Sequence, residues 1–283
     1  MRWQGGRQSK NVDDRRGMSG GQVAIGGGII GIIALIFNFL LGGEIDTSQL
    51  PQLPGTQESR PMSPAEQQKD EERADFVKTV LGYTEDVWNS EFTRSGQQYT
   101  EPTLVLFRDA VQSACGNASA ASGPFYCPGD YKLYIDLSFY EALQKRFNAP
   151  GDFAMAYVVA HEVGHHIQTL MGTSQQMARL RSQVSKQEYN EYSVRMELQA
   201  DFLAGVWAHH IKGKGLLEEG DIEEALQAAN AIGDDNLQKQ AQGYVVPESF
   251  THGTSRQRMY WFKKGFTTGD ISQGDTFNAT RLE

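Results

Sequence analysis

One helix-length stretch constrains this chain more than any other feature. In DFAMAYVVAHEVGHHIQTLMG, residues 152–172, an apolar run leads into three histidines and a glutamate before Gly172 ends the pattern. Apolar residues at this density have to be buried, and buried imidazoles and carboxylates are costly without partners. A second element must therefore lie against this helix and bring polar groups with it. Asp152 stands where a cap would start the helix and Gly172 where a glycine would stop it.

Helical residues four apart differ by about 40° in azimuth and one turn in height. His161 and His165 thus present two imidazoles on one face, at a separation that suits one tetrahedral metal. Glu162 lies one step round, close enough to reach a water beside that metal without binding the metal. This is the H-E-x-x-H arrangement, whose glutamate serves as general base in zinc peptidases. The alternative, a helix with surface histidines, conflicts with the apolar AMAYVVA just before it. His166 is about 100° round from His165 and reads as a packing residue beside the site.

Two histidines need a third protein ligand and an open position for water. RMELQADFLAGVWAHH supplies the candidate, with Glu197 and Asp201 four apart among Met196, Leu198, Phe202, Leu203 and Val206. Two carboxylates in apolar surroundings require compensation. Glu197 is expected to bind the metal, and Asp201 to accept a hydrogen bond from a ligand imidazole such as His161, leaving its other ring nitrogen for zinc. The competing reading is a solvated acidic face. His209 and His210 lie three turns further on, outside the site.

The flanking chain reads as membrane topology. Residues 23–43, VAIGGGIIGIIALIFNFLLGG, carry no charge. As a helix they would span roughly 30 Å, the thickness of a bilayer core. The basic excess in residues 1–22 predicts an amino terminus inside and everything after residue 43 outside the cytoplasm. A cleaved signal peptide is the weaker reading, because no A-x-A-like site follows. Gly27 and Gly31 would allow two such helices to pack together. Four of the nine prolines fall between Pro51 and Pro64, so 44–69 reads as an extended linker and 70–283 as the folded domain. With 26 basic against 35 acidic side chains and no basic cluster in the body of the chain, nucleic acid is not an expected partner.

Inside the domain the class is α+β, mostly helical with a small sheet. A helix is expected over 72–92, with Gly82 a candidate break, and strands at TLVLF (103–107) and YKLYIDL (131–137). Ser138 with Glu141 forms an S-x-x-E capping box, and further helices run over 188–211 and 221–242. Cys115 and Cys127 sit in a loop of small residues. Outside the cytoplasm, a disulfide closing that loop is favoured over metal binding.

HEVGH followed by ELQAD resembles the gluzincin pattern. More narrowly, the chain is similar to the bacterial neutral zinc metallopeptidase family of single-pass membrane proteins. The matching segments are MRWQGGRQSKNVDDRRG, the glycine-rich run, CGNASAASGPFYCPGDYKLYIDL, both metal motifs, AIGDD and PESFTHGTSRQRMYWFKKG. The resemblance implies a zincin-like domain holding Zn2+ in the bacterial inner membrane, amino terminus inside and catalytic domain periplasmic. His252, six residues before Arg258, resembles the T-H-P-x-x-x-x-R segment of membrane gluzincins related to the prenyl-protein protease, with Gly253 in place of proline. A donor there would serve the oxyanion of a peptide carbonyl; the alternative is a turn histidine ahead of an amphipathic helix. YKLYIDL is either an edge strand for pairing extended substrate or an ordinary interior strand.

The expected activity is zinc-dependent hydrolysis of peptide bonds, with Glu162 as base. A non-catalytic zinc-stabilised adaptor and a metal-dependent amidase acting on cell-wall peptides are the alternatives. Substrate and oligomeric state are not encoded in any of these motifs.

Overall fold

The computed structural model describes residues 1–17 and 62–283. The expected membrane span at 23–43 and the linker up to residue 61 lie outside the described residues. Among the described residues no helix is long and apolar enough to cross a membrane.

A four-stranded sheet runs in the order β1 (Val12–Asp14), β2 (Thr103–Phe107), β6 (Lys132–Asp136), β5 (Phe125–Cys127). β1, β2 and β6 are parallel, and β5 is antiparallel to β6. The two central strands, TLVLF and KLYID, are buried along nearly their whole length, the pattern of parallel strands covered on both faces. YKLYIDL is therefore interior, and β5 forms the edge. β3 (Ala110–Ser113) and β4 (Gly116–Ser119) make a separate hairpin, which the Cys115–Cys127 disulfide ties to the end of β5.

Helices supply the rest: α1 (Pro64–Arg94), α2 (Asp152–Leu170), α3 (Thr173–Leu180), α4 (Lys186–Gly213), α5 (Asp221–Ala231), α6 (Asp234–Gln242) and α7 (Ser255–Thr268). The architecture is α+β and mostly helical, as expected. α2 is nearly enclosed, touching α1, α4, α5 and β5. The most extensive helix pair is α4 with α7, and it is close because two glycines face each other's backbones. A Cβ on Gly205 would lie 2.1 Å from the Phe262 carbonyl oxygen, and one on Gly265 2.0 Å from that of Phe202. Trp88, Trp207 and Trp261 are fully buried in the surrounding core.

Several boundaries differ from expectation for identifiable reasons. α1 starts at Pro64, inside the expected linker, because Ser63 and Glu66 form a reciprocal capping box. It continues through Gly82, where a Cβ would lie 2.5 Å from the Arg7 carbonyl oxygen: this glycine admits a crossing chain and does not break the helix. Ser138 makes no capping bond, and its N–H donates to Asp136 instead. Asp152 is the first helical residue, with Gly151 at the cap position, and its carboxylate engages the Met1 ammonium at 2.9 Å. The stretch 221–242 is two helices divided at Ile232–Gly233, because Gly233 turns against the Ser255 backbone.

The largest correction concerns the amino terminus. Residues 1–17 are part of the domain: β1 pairs with β2 in the register Val12↔Leu104, and Met1 is buried in the main core. The arginines that suggest an inside segment are ion-paired here. Arg7 meets Glu85 at 2.9 Å and Asp86 at 2.7 Å, and Arg16 pairs with Asp70. Residues 1–17 are therefore packed into the same folded body as residues 62–283, where the sequence pattern suggests a separate basic segment over 1–22.

Candidate metal centre

α2 and α4 meet at Gly164, where a Cβ would lie 2.9 Å from the Ala200 carbonyl oxygen and 3.1 Å from the Ala200 Cα. That close approach brings Glu197 over the two histidines. Donor atoms of His161, His165 and Glu197 all lie within 4.8 Å of one another. His161 Nε2 is 3.2 Å from Glu197 Oε2, and His165 Nε2 is 3.4 Å from Glu197 Oε1.

The far sides of both rings are tied down. His161 Nδ1 donates to Asp201 Oδ1 at 2.8 Å, and His165 Nδ1 donates to Gln168 Oε1 at 2.9 Å. Both acceptors are oxygens, so each Nδ1 carries the hydrogen and each Nε2 turns a lone pair toward the Glu197 carboxylate. Three acceptors facing one another repel unless a proton or cation lies between them. Two imidazole nitrogens and a carboxylate oxygen are the ligand chemistry of a catalytic zinc site, so the residues fit that ion.

The same need for positive charge is visible in the ionisation of the groups. Burial disfavours the imidazolium forms, yet Asp201 and Glu197 outweigh it at His161, and Glu197 raises His165 to about 9. Burial pushes the Glu197 carboxyl up, but His165 and His252 hold it well below the usual carboxylate range. Glu162, buried one step round the helix, is raised chiefly by desolvation, against the pull of His165 and His161.

Asp201 is fully buried and accepts four bonds: from Tyr157 Oη at 2.5 Å, His161 Nδ1 at 2.8 Å, Arg258 Nε at 2.8 Å and Arg258 Nη2 at 3.0 Å. Desolvation raises its carboxyl, but Arg258 and His161 prevail and bring it down to about 2. Arg258, on α7, is thus the partner that makes a buried carboxylate tolerable behind the site. Tyr157 and the arginine's link to Asp201 had no signal in the motif spacing, since the three residues come from three helices.

His252 stands on the loop before α7. Asp234 Oδ2 accepts the backbone N–H groups of Thr251, His252 and Gly253 at 2.8, 2.7 and 3.0 Å, while Asp234 Oδ1 lies 3.2 Å from His252 Nδ1. Burial opposes the charged ring, but Glu197 and Asp234 raise its pKa. His252 therefore shares the field of the Glu197 carboxylate, and Asp234, within the AIGDD segment, is the buried post that holds its loop. His166 faces away from the ligands. His209 bonds the Phe266 carbonyl and His210 approaches Glu91, so neither joins the site.

A helix-borne pair of histidines with a glutamate from a second helix, backed by a buried acid, defines the class of catalytic-type zinc centres. Residues 1–277 match the family model described as "putative neutral zinc metallopeptidase", and the chain belongs to that family. It is 47% identical to the uncharacterized protein YpfJ of Escherichia coli strain K12, over 98% of this chain and 99% of that one. It is 44% identical to the uncharacterized protein Rv2575 of Mycobacterium tuberculosis, over 65% of each chain. No solved structure matches.

Proposed function

We propose that the chain is a membrane-attached zinc metallopeptidase with a zincin-like domain. The observation that carries this reading is the convergence of two Nε2 lone pairs and Glu197, with Glu162 beside them on the same helix. His161, His165 and Glu197 would hold zinc, which when bound supplies Lewis acidity toward a peptide carbonyl and a more acidic water.

Every other step belongs to the protein's own side chains. Glu162, whose carboxyl is raised by burial, takes the proton of the attacking water and passes it to the leaving amine. His252, held by Asp234, donates to the oxyanion that develops on the carbonyl. Strand β5 offers an open edge beside α2. Tyr126 turns its backbone N–H toward Glu162, and in an extended strand its carbonyl lies along the same edge. An extended peptide pairing there would lie across the metal centre.

The uncharged run 23–43 supports attachment to the bacterial inner membrane. The Cys115–Cys127 disulfide supports an extracytoplasmic domain, with residues 1–17 on that same side.

The test is hydrolysis of a mixed peptide library and of cell-wall fragments by the full chain, with and without chelator. Glu162→Gln should retain one zinc per chain and lose hydrolysis, whereas Glu197→Ala should lose the zinc. An active Glu162→Gln protein sinks the mechanism, and stoichiometric zinc in Glu197→Ala refutes the ligand assignment. Cleavage of cell-wall fragments alone would move the substrate to that class.

A further inference from the structure

α2 carries two stripes of functional side chains. His161, His165 and Gln168 face α4. Glu162, His166 and Thr169 follow the same spacing one step round the helix, and all three meet one residue of the edge strand, Tyr126.

The His166 contacts define its tautomer. Its Nε2 lies 2.6 Å from the Thr100 carbonyl oxygen, which can only accept, so the hydrogen is on Nε2. Its Nδ1, 3.0 Å from Tyr126 Oη, then accepts the tyrosine's hydroxyl hydrogen. That hydroxyl also meets Thr169, and the Tyr126 backbone N–H faces the Glu162 carboxylate. The His166 ring is fully buried among the edges of Tyr99, Tyr126 and Tyr131, with centroids 5.8, 5.4 and 5.9 Å away. A donor, an acceptor and three ring contacts leave it one orientation. β5 itself is short, paired on one side only and fastened at its end by Cys127. A three-residue edge strand has little of its own to hold it in register.

We infer that His166 is a positioning residue: by gripping the Tyr126 side chain between α2 and the Thr100 carbonyl, it holds the backbone of β5 against Glu162. The hexapeptide HEVGHH thus encodes two interleaved pairs four residues apart, His161 with His165 for the metal and Glu162 with His166 for the edge strand. The grip bears on the reaction through the proposed function, because β5 is the edge on which substrate would pair and Tyr126 is the neighbour of the base.

The experiment compares the full chain with Tyr126→Phe, His166→Phe and His166→Gln. Phenylalanine at 166 keeps the ring packing and loses both hydrogen bonds. Glutamine can still donate to Thr100 and accept from Tyr126. Exchange of the Tyr126 amide hydrogen reads the grip without substrate: it should quicken about tenfold in both phenylalanine variants and return toward wild type in His166→Gln. In zinc-dependent hydrolysis, both phenylalanine variants should lose about tenfold in kcat at unchanged zinc content, and the double variant should be no worse than either. Unchanged exchange overturns the inference. So does a kcat loss no larger than the unfolded fraction, or losses that multiply in the double variant. If wild type cleaves no peptide while the exchange responds as described, the hydrolase reading fails and the grip stands.

Discussion

Replacing Asp201 by asparagine should separate what this residue does for the fold from what it does for the metal. The amide has the carboxylate's shape but no charge, and one of its two positions now presents an N–H to groups that also donate. Asp201 is fully buried and Arg258 is 2% exposed, so the guanidinium has no route to water. Its other contacts are the Tyr157 hydroxyl at 3.2 Å, His161 Nδ1 at 3.5 Å and the Ile232 carbonyl at 3.4 Å, none of them an anion that would neutralise it. Removing one partner of such a buried pair costs about 3–5 kcal/mol. The same change takes the negative charge from the acceptor of His161 Nδ1, and weakening of such an outer partner lowers metal affinity about 10–100-fold. Urea denaturation of the zinc-free protein measures the first effect, and competition with a chromophoric chelator the second. The double variant Asp201→Leu with Arg258→Met removes both charges together, so it should recover most of the stability but none of the zinc affinity. A destabilisation of Asp201→Asn below about 1 kcal/mol would refute the claim that Arg258 depends on this carboxylate. Recovery of zinc affinity in the double variant would refute the role assigned to Asp201 at His161.

Three further outcomes follow from the packing and the charges. Gly164→Ala puts a methyl against the Ala200 backbone, so it should part α2 and α4, cost about 1–3 kcal/mol and loosen zinc by roughly tenfold; wild-type affinity in that variant, by the same chelator competition, would show the crossing has slack. Burial lowers His166 from 6.5 to about 4, so its neutral ring contributes stability that is complete above pH 6.5 and lost as pH falls through 4. The loss amounts to about 3 kcal/mol, and His166→Gln should flatten the acid limb of a stability–pH curve by that amount; parallel curves would count against it. Cysteines introduced at Lys10 and at Lys145 should react alike with an impermeant maleimide on intact cells, because residues 1–17 and the domain form one body; opposite labelling would mean that β1 does not pair with β2 in the cell.

Local chemistry was readable where it obeys a fixed period. Residues four apart on a helix must share a face, so His161 with His165, and Glu197 with Asp201, were recoverable as pairs before any tertiary contact was known. The strand TLVLF and the Cys115–Cys127 pairing were likewise written in residue type and compartment logic, and the structure contains both. Charge and edge position were not readable in this way. The arginines of residues 1–17 look the same in a list whether they face lipid headgroups or pair with Glu85, Asp86 and Asp70. Interior and edge strands share an alternation, so YKLYIDL could not be told from an edge until β5 was found beside it.

The sequence by itself determined the two helices whose side chains converge, the residues that share a face on each, and the α+β class, because each is written in patterns local to one segment. Tertiary structure alone decided that Arg258 and Tyr157 stand behind Asp201, that Asp234 holds the His252 loop, and that His166 reaches Tyr126. Those contacts join segments 18 to 101 residues apart. Burial is what drives them: a charge or imidazole shut away from water must find its partner in space, wherever the chain happens to carry it.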